Sequence, residues 1–304
     1  ASIEVIHGPA SALYGANAFN GVVLTNSKDP FVTEGLTVRV RGGQRSYFDG
    51  QLRYAQKIGN KFAFKLVGSY LTANDWLASN YEATSTRVTA NNNAAGSTLG
   101  YDAVNRYGDV DNTFTANQPL PGGVSPELVG KTVFMPGFTE QTLIGNDDKA
   151  KAFKVIPTVS YLLTDKVKAT VAASFNRGTA SYQSTSRYRL RDFGTNQYRG
   201  ELRGERWFLR GSSTQDFGND SYDLSFLGAF IQNSPVAEGS ATTYAQQYFA
   251  TYNGAYKAAR GQGASMEQAQ TVAQEAAGAT QLDPSSARFG QLRTAIIKDA
   301  RPGQ

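Results

Sequence analysis

Alternation of hydrophobic and polar residues is the strongest pattern in the first two thirds of the chain. In the segment 36–42, every second residue is Leu or Val and the residues between them are Thr or Arg. A period of two places these side chains on opposite faces of a β-strand. The same pattern predicts seven strands, at 36–42, 48–58, 62–71, 151–163, 167–177, 197–203 and 207–215. Polar turns at 59–61, 164–166 and 204–206 predict that neighbouring strands form antiparallel hairpins.

The connections between the predicted strands differ strongly in length. The turns at 59–61 and 164–166 are short, whereas 72–148 is a long polar stretch with consecutive asparagines and Pro-Gly sequences. Short connections at one end of a sheet and long ones at the other are typical of β-barrels in bacterial outer membranes. We therefore expect 72–148 to be a long outer loop with at most short local order.

The last third of the chain has a different pattern. Alternation stops near Asp216, and alanine and glutamine become frequent. Three features indicate helices. Tyrosines recur at every fourth residue over 244–256, and Ser265 and Gln268 have the spacing of a capping box. Asp283-Pro284 is typical of an N-cap followed by proline at the first helical position. These signals predict two or three short helices within 216–304.

Composition excludes several kinds of site. The 304 residues include no cysteine and one histidine, His7, which excludes a disulfide framework, a cysteine nucleophile and a zinc site of Cys and His. No apolar run is long enough for a membrane-spanning helix, whereas a mean hydropathy of −0.40 is compatible with membrane-spanning strands. The net charge of +5 comes from dispersed basic residues, so we expect no nucleic-acid partner.

The first 30 residues contain many residue types at fixed spacing. The set is Ile3, Glu4, Val5, Gly8, Pro9, Ser11, Leu13, Tyr14, Gly15, Gly21, Val22 and Lys28. In this combination the segment resembles the C-terminal end of the plug domain of TonB-dependent outer-membrane receptors. His7 stands where that family usually has arginine. A weaker similarity, at 206–224, is to receptors of this family from Bacteroidetes-type bacteria.

The glycines and the proline of this motif favour particular backbone conformations whatever the family. Gly8-Pro9 and Gly15 would limit a short helical turn over 10–14, and Gly21 would permit close backbone approach before a strand over 22–25. The residues assigned a structural role in the motif are Glu4, Gly8, Pro9, Ser11, Leu13, Tyr14, Gly15 and Gly21.

The resemblance implies a mainly β fold, an antiparallel transmembrane β-barrel of a plugged receptor. Residues 1–29 would end the plug domain, with a short α/β remnant, and 30–215 would begin the barrel, including the loop 72–148. Residues 216–304 would be a helical extracellular loop region, truncated. A barrel of this kind has about 22 strands, and about seven are predicted here, so we expect the barrel to be incomplete and the chain to be a fragment.

The resemblance also implies a function, which is transport. A receptor of this family takes up a scarce solute, such as a siderophore, metal chelate or oligosaccharide, across the bacterial outer membrane by movement of the plug. The implied partners are the inner-membrane TonB energy-coupling complex, reached through an upstream segment, outer-membrane lipid and lipopolysaccharide, and a small solute. We assign no cofactor, no metal and no solute-contacting residues.

An alternative is a soluble or surface-anchored β-rich protein that binds carbohydrate. In that protein, positions such as Phe64, Leu66, Val155 and Val171 would face a protein core instead of lipid. No phosphate loop, nucleophile elbow or paired carboxylates are evident, so we expect no enzyme. His7 has no nucleophile near it in sequence, which favours a structural role over that of a catalytic base.

Three further patterns have a functional and a structural interpretation. The oxygen-rich runs 109–112 and 216–220 could bind calcium but lack EF-hand spacing, which favours solvated loops. The tyrosines over 244–256 could stack on sugars, although their spacing favours helix packing. Arg187, Arg189 and Arg191 share one strand parity, and Arg199, Arg203, Arg206 and Arg210 follow them in the sequence. These arginines could select an anionic solute. We favour the alternative, in which they pair with plug carboxylates or lipopolysaccharide phosphate.

Overall fold

A computed structural model describes residues 2–9 and 20–299 of the chain. The chain divides into two compact units, each made of three segments. The first unit comprises the residues up to Leu71, Ala152–Arg177 and Gly194–Asp216. The second comprises Thr72–Lys151, Gly178–Phe193 and the residues from Phe217.

The described residues contain strands of very different length and five α-helices. The strands are β1 (Ser2–His7), β2 (Gly21–Asn26), β3 (Gly35–Gly43), β4 (Tyr47–Ile58), β5 (Phe62–Asn74), β6 (Arg106–Tyr107), β7 (Val110–Thr113), β8 (Thr132–Met135), β9 (Phe138–Thr139), β10 (Lys149–Thr164), β11 (Val167–Gln183), β12 (Arg187–Arg203), β13 (Phe208–Phe217) and β14 (Tyr222–Asp223). The helices are α1 (Glu140–Ile144), α2 (Leu224–Gln232), α3 (Tyr244–Gly261), α4 (Met266–Gly278) and α5 (Ala287–Asp299).

One antiparallel sheet dominates the fold, which is mainly β as expected. Seven strands lie in the order β13-β12-β11-β10-β5-β4-β3, and β14 adds to β12. The order follows the chain except for the insertion between β5 and β10, so the sheet is a meander of hairpins. Within the described ranges, β3 and β13 each have one unpaired edge, and the sheet does not close. All seven predicted strands are confirmed, although β11 extends to Gln183 and β12 already begins at Arg187.

The motif of the N-terminal segment contains a hairpin that the sequence analysis recognised only in part. The predicted strand over 22–25 is confirmed within β2, and β1 pairs with it antiparallel, with His7 opposite Gly21. A Cβ atom on Gly21 would lie 2.8 Å from the carbonyl oxygen of Ile6, so the predicted close approach is present. The proposed helical turn over 10–14 lies outside the described residues.

The second unit has a conventional hydrophobic core. Helix α3 packs along α4, α2 packs against α5, and strand β8 contacts α3. The buried side chains come from both the 72–148 segment and the helices after 217, for example Phe114, Leu128, Leu227 and Ile231. The two segments, which the sequence analysis placed in different regions of the chain, therefore share one core.

Several sequence predictions in this unit need correction. The segment 72–148 is more ordered than predicted, since it contains the paired strands β6–β9 and β7–β8 and helix α1. Four helices, instead of two or three, lie between 217 and 299. Asp283 accepts hydrogen bonds from the amide and hydroxyl of Ser285, so it stabilises a turn, and α5 begins only at Ala287. No helix in the described part of the chain is both long and apolar enough to cross a membrane.

Candidate functional site

The sheet of the first unit has an exposed apolar face. Its side chains have the parity that the sequence predicted, since Leu36 lies opposite Tyr54 and Val38 opposite Leu52 in the β3–β4 register. The large apolar residues exposed on this face are Leu36, Val38, Val40, Phe48, Leu52, Ile58, Leu66, Tyr70, Phe153, Val159, Tyr161, Leu163, Val171, Tyr198 and Leu209. Soluble monomers rarely expose a continuous apolar surface of this extent.

The opposite face of the sheet is polar and partly buried. Lys65, Thr158 and Ser160 are buried on it, and the hydroxyls of Ser160 and Thr170 lie 3.2 Å apart. Burial of a lysine requires hydrogen-bond partners, because an unsatisfied ammonium group in a dry environment is strongly destabilising. The distribution is thus the reverse of that in a soluble protein, with apolar side chains exposed and polar side chains buried.

The segment 27–34, called here the linker, supplies those partners. The ammonium group of Lys65 donates to the hydroxyl of Ser27 at 2.6 Å and to the carbonyl of Lys28 at 3.0 Å. Lys168 pairs with the carboxylate of Asp29. The guanidinium of Arg53 donates to the carbonyl of Thr33 at 2.6 Å. The linker, which follows β2 directly, is therefore fixed to three strands of the sheet.

Asp29 is the charged centre of the linker. Its side chain also accepts a hydrogen bond of 2.9 Å from the amide of Phe31. Burial alone would raise the pKa of Asp29, but the hydrogen bonds from Lys168 and Phe31 and the charge of Lys168 outweigh that effect and hold the pKa below its ordinary value. Asp29 is accordingly an anion at neutral pH.

A cleft of about 530 Å³ lies beside the linker on the polar face. Among the described residues that line it, two are carboxylates, Asp29 and Glu201, and seven are cations: Lys28, Lys65, Lys154, Lys168, Arg199, Arg203 and Arg210. Hydroxyl and amide side chains complete the wall, among them Thr170, Ser174 and Gln197. We call this feature the cationic cleft. The sequence analysis identified the arginines of this cleft but missed Lys65 and Lys168. The only indication of these lysines in the sequence is that each occupies a polar-face position of a strand close to a turn.

The two carboxylates of the cleft are both paired. Arg203 and Arg210 donate to different oxygens of Glu201, at 2.8 and 2.7 Å, and Asp29 pairs with Lys168. In the described part of the chain, no carboxylate forms an ion pair with Lys154 or Arg199. The cleft therefore has an excess of positive charge.

Three of the other predicted arginines, Arg187, Arg189 and Arg191, lie in the second unit and are paired. Arg187 donates to both carboxylate oxygens of Glu140, at 3.1 Å each. Arg189 is fully buried and donates to Asp147 at 3.1 Å, and Arg191 lies 3.1 Å from the other oxygen of the same carboxylate. Pairing with carboxylates is thus observed, but the partners are on the segment 140–147 instead of the plug. Arg206 lies in the first unit and forms no ion pair with a carboxylate in the described part of the chain.

The tyrosines of α3 pack inside the second unit. Tyr244, Tyr248, Tyr252 and Tyr256 are all buried, which confirms helix packing and contradicts stacking on sugars. The hydroxyl of Tyr244 donates to the carbonyl of Val236 at 3.1 Å. The other three donate to the 72–148 segment, for example Tyr252 to the carbonyl of Thr98 at 3.0 Å and Tyr256 to the carboxylate of Glu127 at 2.7 Å. Hydrogen bonds from Arg260 and Tyr256 lower the pKa of Glu127 to about 2.

The remaining candidates are His7 and the oxygen-rich runs. His7 is exposed at the end of β1. Among the residues that the structure describes, no group of His, Asp and Glu side chains is arranged to hold a metal ion. In the run 216–220, the side-chain amide nitrogen of Asn219 donates hydrogen bonds to Asp192. A calcium ligand would instead present an oxygen atom to the ion.

The motif residues are only partly within the described ranges. Glu4, Gly8, Pro9 and Gly21 lie on or beside the β1–β2 hairpin, where Gly8 has φ of 90° and donates its amide to Asn20. Ser11, Leu13, Tyr14 and Gly15 lie outside the described residues. A comparison of the chain with models of known protein families finds no match.

Proposed function

We propose that this chain belongs to a TonB-dependent outer-membrane receptor, with the sheet of the first unit as part of its transmembrane barrel wall. The observation that carries the proposal is the polarity of the sheet, whose apolar face is exposed and whose polar face is partly buried. In a membrane barrel the outer face contacts lipid and the inner face lines a polar lumen.

Strand length supports this assignment. Strands β3, β4 and β13 have 9, 12 and 10 residues, and a tilted strand needs about 9–11 residues to cross the hydrocarbon of a bilayer. The longer strands β10, β11 and β12 continue into the second unit. Further strands would have to pair with the free edges of β3 and β13, because open sheet edges are unstable in lipid.

The connections of the sheet also fit a receptor. Short turns follow β4, β10 and β12 at one end of the sheet. At the other end, β3 and β11 are also followed by short turns, whereas β5 and β13 are followed by long segments that enter the second unit. Barrels of the outer membrane have short periplasmic turns and long extracellular loops. We therefore propose that the long segments after β5 and β13 are extracellular loops.

The linker suggests how the plug end would be held while the rest of the plug moves. The motif that resembles the end of a plug lies directly before the linker. Lys65, Lys168 and Arg53 hold the linker on the polar face, which would line the lumen. A pull on the plug would then act against this anchor, and the anchor would keep the plug attached to the wall during uptake of a solute.

The carbohydrate-binding alternative is not favoured by the positions that would decide it. That alternative required Phe64, Leu66, Val155 and Val171 to be buried in a protein core. None of the four is buried, and Val171 is 66% exposed. We therefore retain the receptor as the proposed function, with transport and no catalysis.

A pair of neighbouring positions on β11 provides a sharp test. Because the 304 residues contain no cysteine, Val171→Cys and Thr170→Cys each introduce a single labelling site within this chain, on opposite faces of one strand; any cysteine elsewhere in the full-length protein is replaced by serine. The full-length protein is labelled in native membranes with a polarity-sensitive fluorophore. We expect a lipid-soluble quencher to act on the label at 171, and a water-soluble quencher to act on the label at 170.

Asn60→Cys, in the turn between β4 and β5, is the control and should be accessible only from water. Equal quenching of positions 170 and 171 by the water-soluble reagent would contradict a lipid-facing surface. Recovery of the full-length protein in the soluble fraction without detergent would independently exclude the receptor.

A further inference from the structure

The cationic cleft has a composition that the proposed membrane wall does not require. A polar lumen can be lined by hydroxyl and amide groups alone, yet seven cations and two carboxylates surround this cleft among the described residues. Such an excess of like charge in a concave surface raises the local potential and attracts anions. The excess therefore needs an explanation in terms of a ligand.

The charges are close enough to act together. Arg53, Arg199 and Lys168 all interact electrostatically with Lys65, and Asp29 is the one carboxylate in that group. Lys65 is buried and its ammonium donates to neutral oxygens of Ser27 and Lys28. Within the described ranges, the Nε atom of Arg53 is buried without a hydrogen-bond partner. Positive charge is thus held in place by the fold without full compensation.

From this arrangement we infer that the cationic cleft binds a small multivalent oxyanion, a solute that carries phosphate or several carboxylate groups. Lys154 and Arg199 lie on the wall, have no carboxylate partner among the residues that the structure describes, and would provide charge-assisted hydrogen bonds. Hydroxyl groups of Thr170 and Ser174 would donate to further oxygens. A volume of about 530 Å³ is in the range of small-molecule sites.

The inference rests on the cleft alone and holds whether or not the chain is part of a transporter. Binding is measured by calorimetry on the full-length protein in detergent, with pyrophosphate and citrate as separate probes and maltose as a neutral solute. We expect at least one of the two anions to bind, more weakly as salt is raised, and maltose not to bind. Comparison of the two anions distinguishes phosphate from carboxylate recognition.

Two substitutions that remove unpaired charge should weaken binding. Arg199→Gln and Lys154→Gln are each expected to raise the dissociation constant about tenfold, because each removes a charge-assisted contact. Arg39→Gln on β3 and Lys61→Gln in the turn between β4 and β5 are matched controls outside the cleft. They should change the dissociation constant less than about twofold. Arg199→Lys keeps the charge and should restore most of the binding.

A third variant should increase affinity, which misfolding cannot do. Glu201→Gln removes the carboxylate that pairs with Arg203 and Arg210, and should lower the dissociation constant several-fold because both guanidinium groups become available. Absence of binding by both anions, equal weakening in cleft and control variants, or preferential binding of maltose would overturn the inference. Failure of the quenching experiment on β11 would overturn only the receptor.

Discussion

Asp109 is the residue whose acidity the fold changes most clearly. Burial and the neighbouring carboxylates of Asp102 and Asp111 raise its pKa to about 7. Asp102 is itself buried and accepts a hydrogen bond from the hydroxyl of Thr84 at 2.6 Å. The protonated form of Asp109 is therefore favoured in the folded protein, although the isolated side chain would be ionised at neutral pH.

This pKa predicts a pH dependence of stability. A carboxyl group whose pKa is higher in the folded state stabilises the fold fully below its unfolded value near 4, and this contribution is lost as the pH rises through about 7. Asp109→Asn mimics the protonated form. The free energy of unfolding of this variant is compared with that of the natural chain. We expect the comparison to shift in favour of the variant by roughly 2–4 kcal/mol between pH 4 and pH 8.

The free energy of unfolding, followed by the helical circular-dichroism signal, measures this effect. Glu238→Gln is the control, because Glu238 is exposed in a loop of the same unit. An Asp109→Asn effect that is the same at pH 4 and pH 8 would show that the folded protein does not hold Asp109 protonated.

At the scale of elements, helix α3 stabilises the second unit through one face. A capping box of Thr243 and Gln246 begins the helix. The buried Tyr248 and Tyr252 donate hydrogen bonds to carbonyls of the 72–148 segment, those of Phe134 and Thr98. Asn253 extends the same face, since its side chain accepts from the amide of Ser125 and donates to the carbonyl of Gly123, both at 2.9 Å. The long segment is therefore ordered by contacts with a helix more than a hundred residues away.

Replacement of Tyr252 should show this structural role. Tyr252→Ala removes a fully buried ring and is expected to cost about 3–5 kcal/mol of unfolding free energy. Tyr252→Phe removes only the hydroxyl bond to Thr98 and is expected to cost about 1–2 kcal/mol. Denaturant unfolding measures both. Tyr182→Ala, at an exposed position, is the control and should change the free energy of unfolding by less than about 0.5 kcal/mol. Equal losses of unfolding free energy for Tyr252→Ala and Tyr182→Ala would refute the packing role of Tyr252.

At the scale of the whole molecule, the two units place their apolar residues in opposite ways. The first unit exposes apolar side chains on its sheet, whereas the second buries them in a common core. Each unit contains one of the two tryptophans, Trp207 in the first and Trp76 in the second. Trp76→Phe and Trp207→Phe therefore give variants with one fluorescent reporter for each unit.

We expect the two reporters to record different unfolding transitions. The sheet with an exposed apolar face should depend on the detergent, whereas the unit with its own core should not. The midpoint reported by Trp207 should therefore shift with detergent chain length, and that reported by Trp76 should stay constant. Coincident transitions in every detergent would indicate a single cooperative unit.

The strands could be predicted because each has one apolar and one polar face, which produces a period of two in the sequence. The first half of β12 was not predicted as a strand, although Arg187, Arg189 and Arg191 alternate there with Tyr188 and Leu190. Strand β7 was not predicted because it has only four residues, and its Asp111 lies opposite Phe134 in the β7–β8 pair. A pairing between distant segments leaves no local pattern.

The sequence by itself determined the alternating strands, their order along the meander and the tyrosine face of α3, because these depend on the spacing of neighbouring residues. Only the tertiary structure decided that the linker is fixed by Lys65 and Lys168, that Glu201 is neutralised while Arg199 is not, and that 72–148 shares a core with the helices. These features depend on charges and side chains that folding brings together from distant positions, and no period along the chain records their distances.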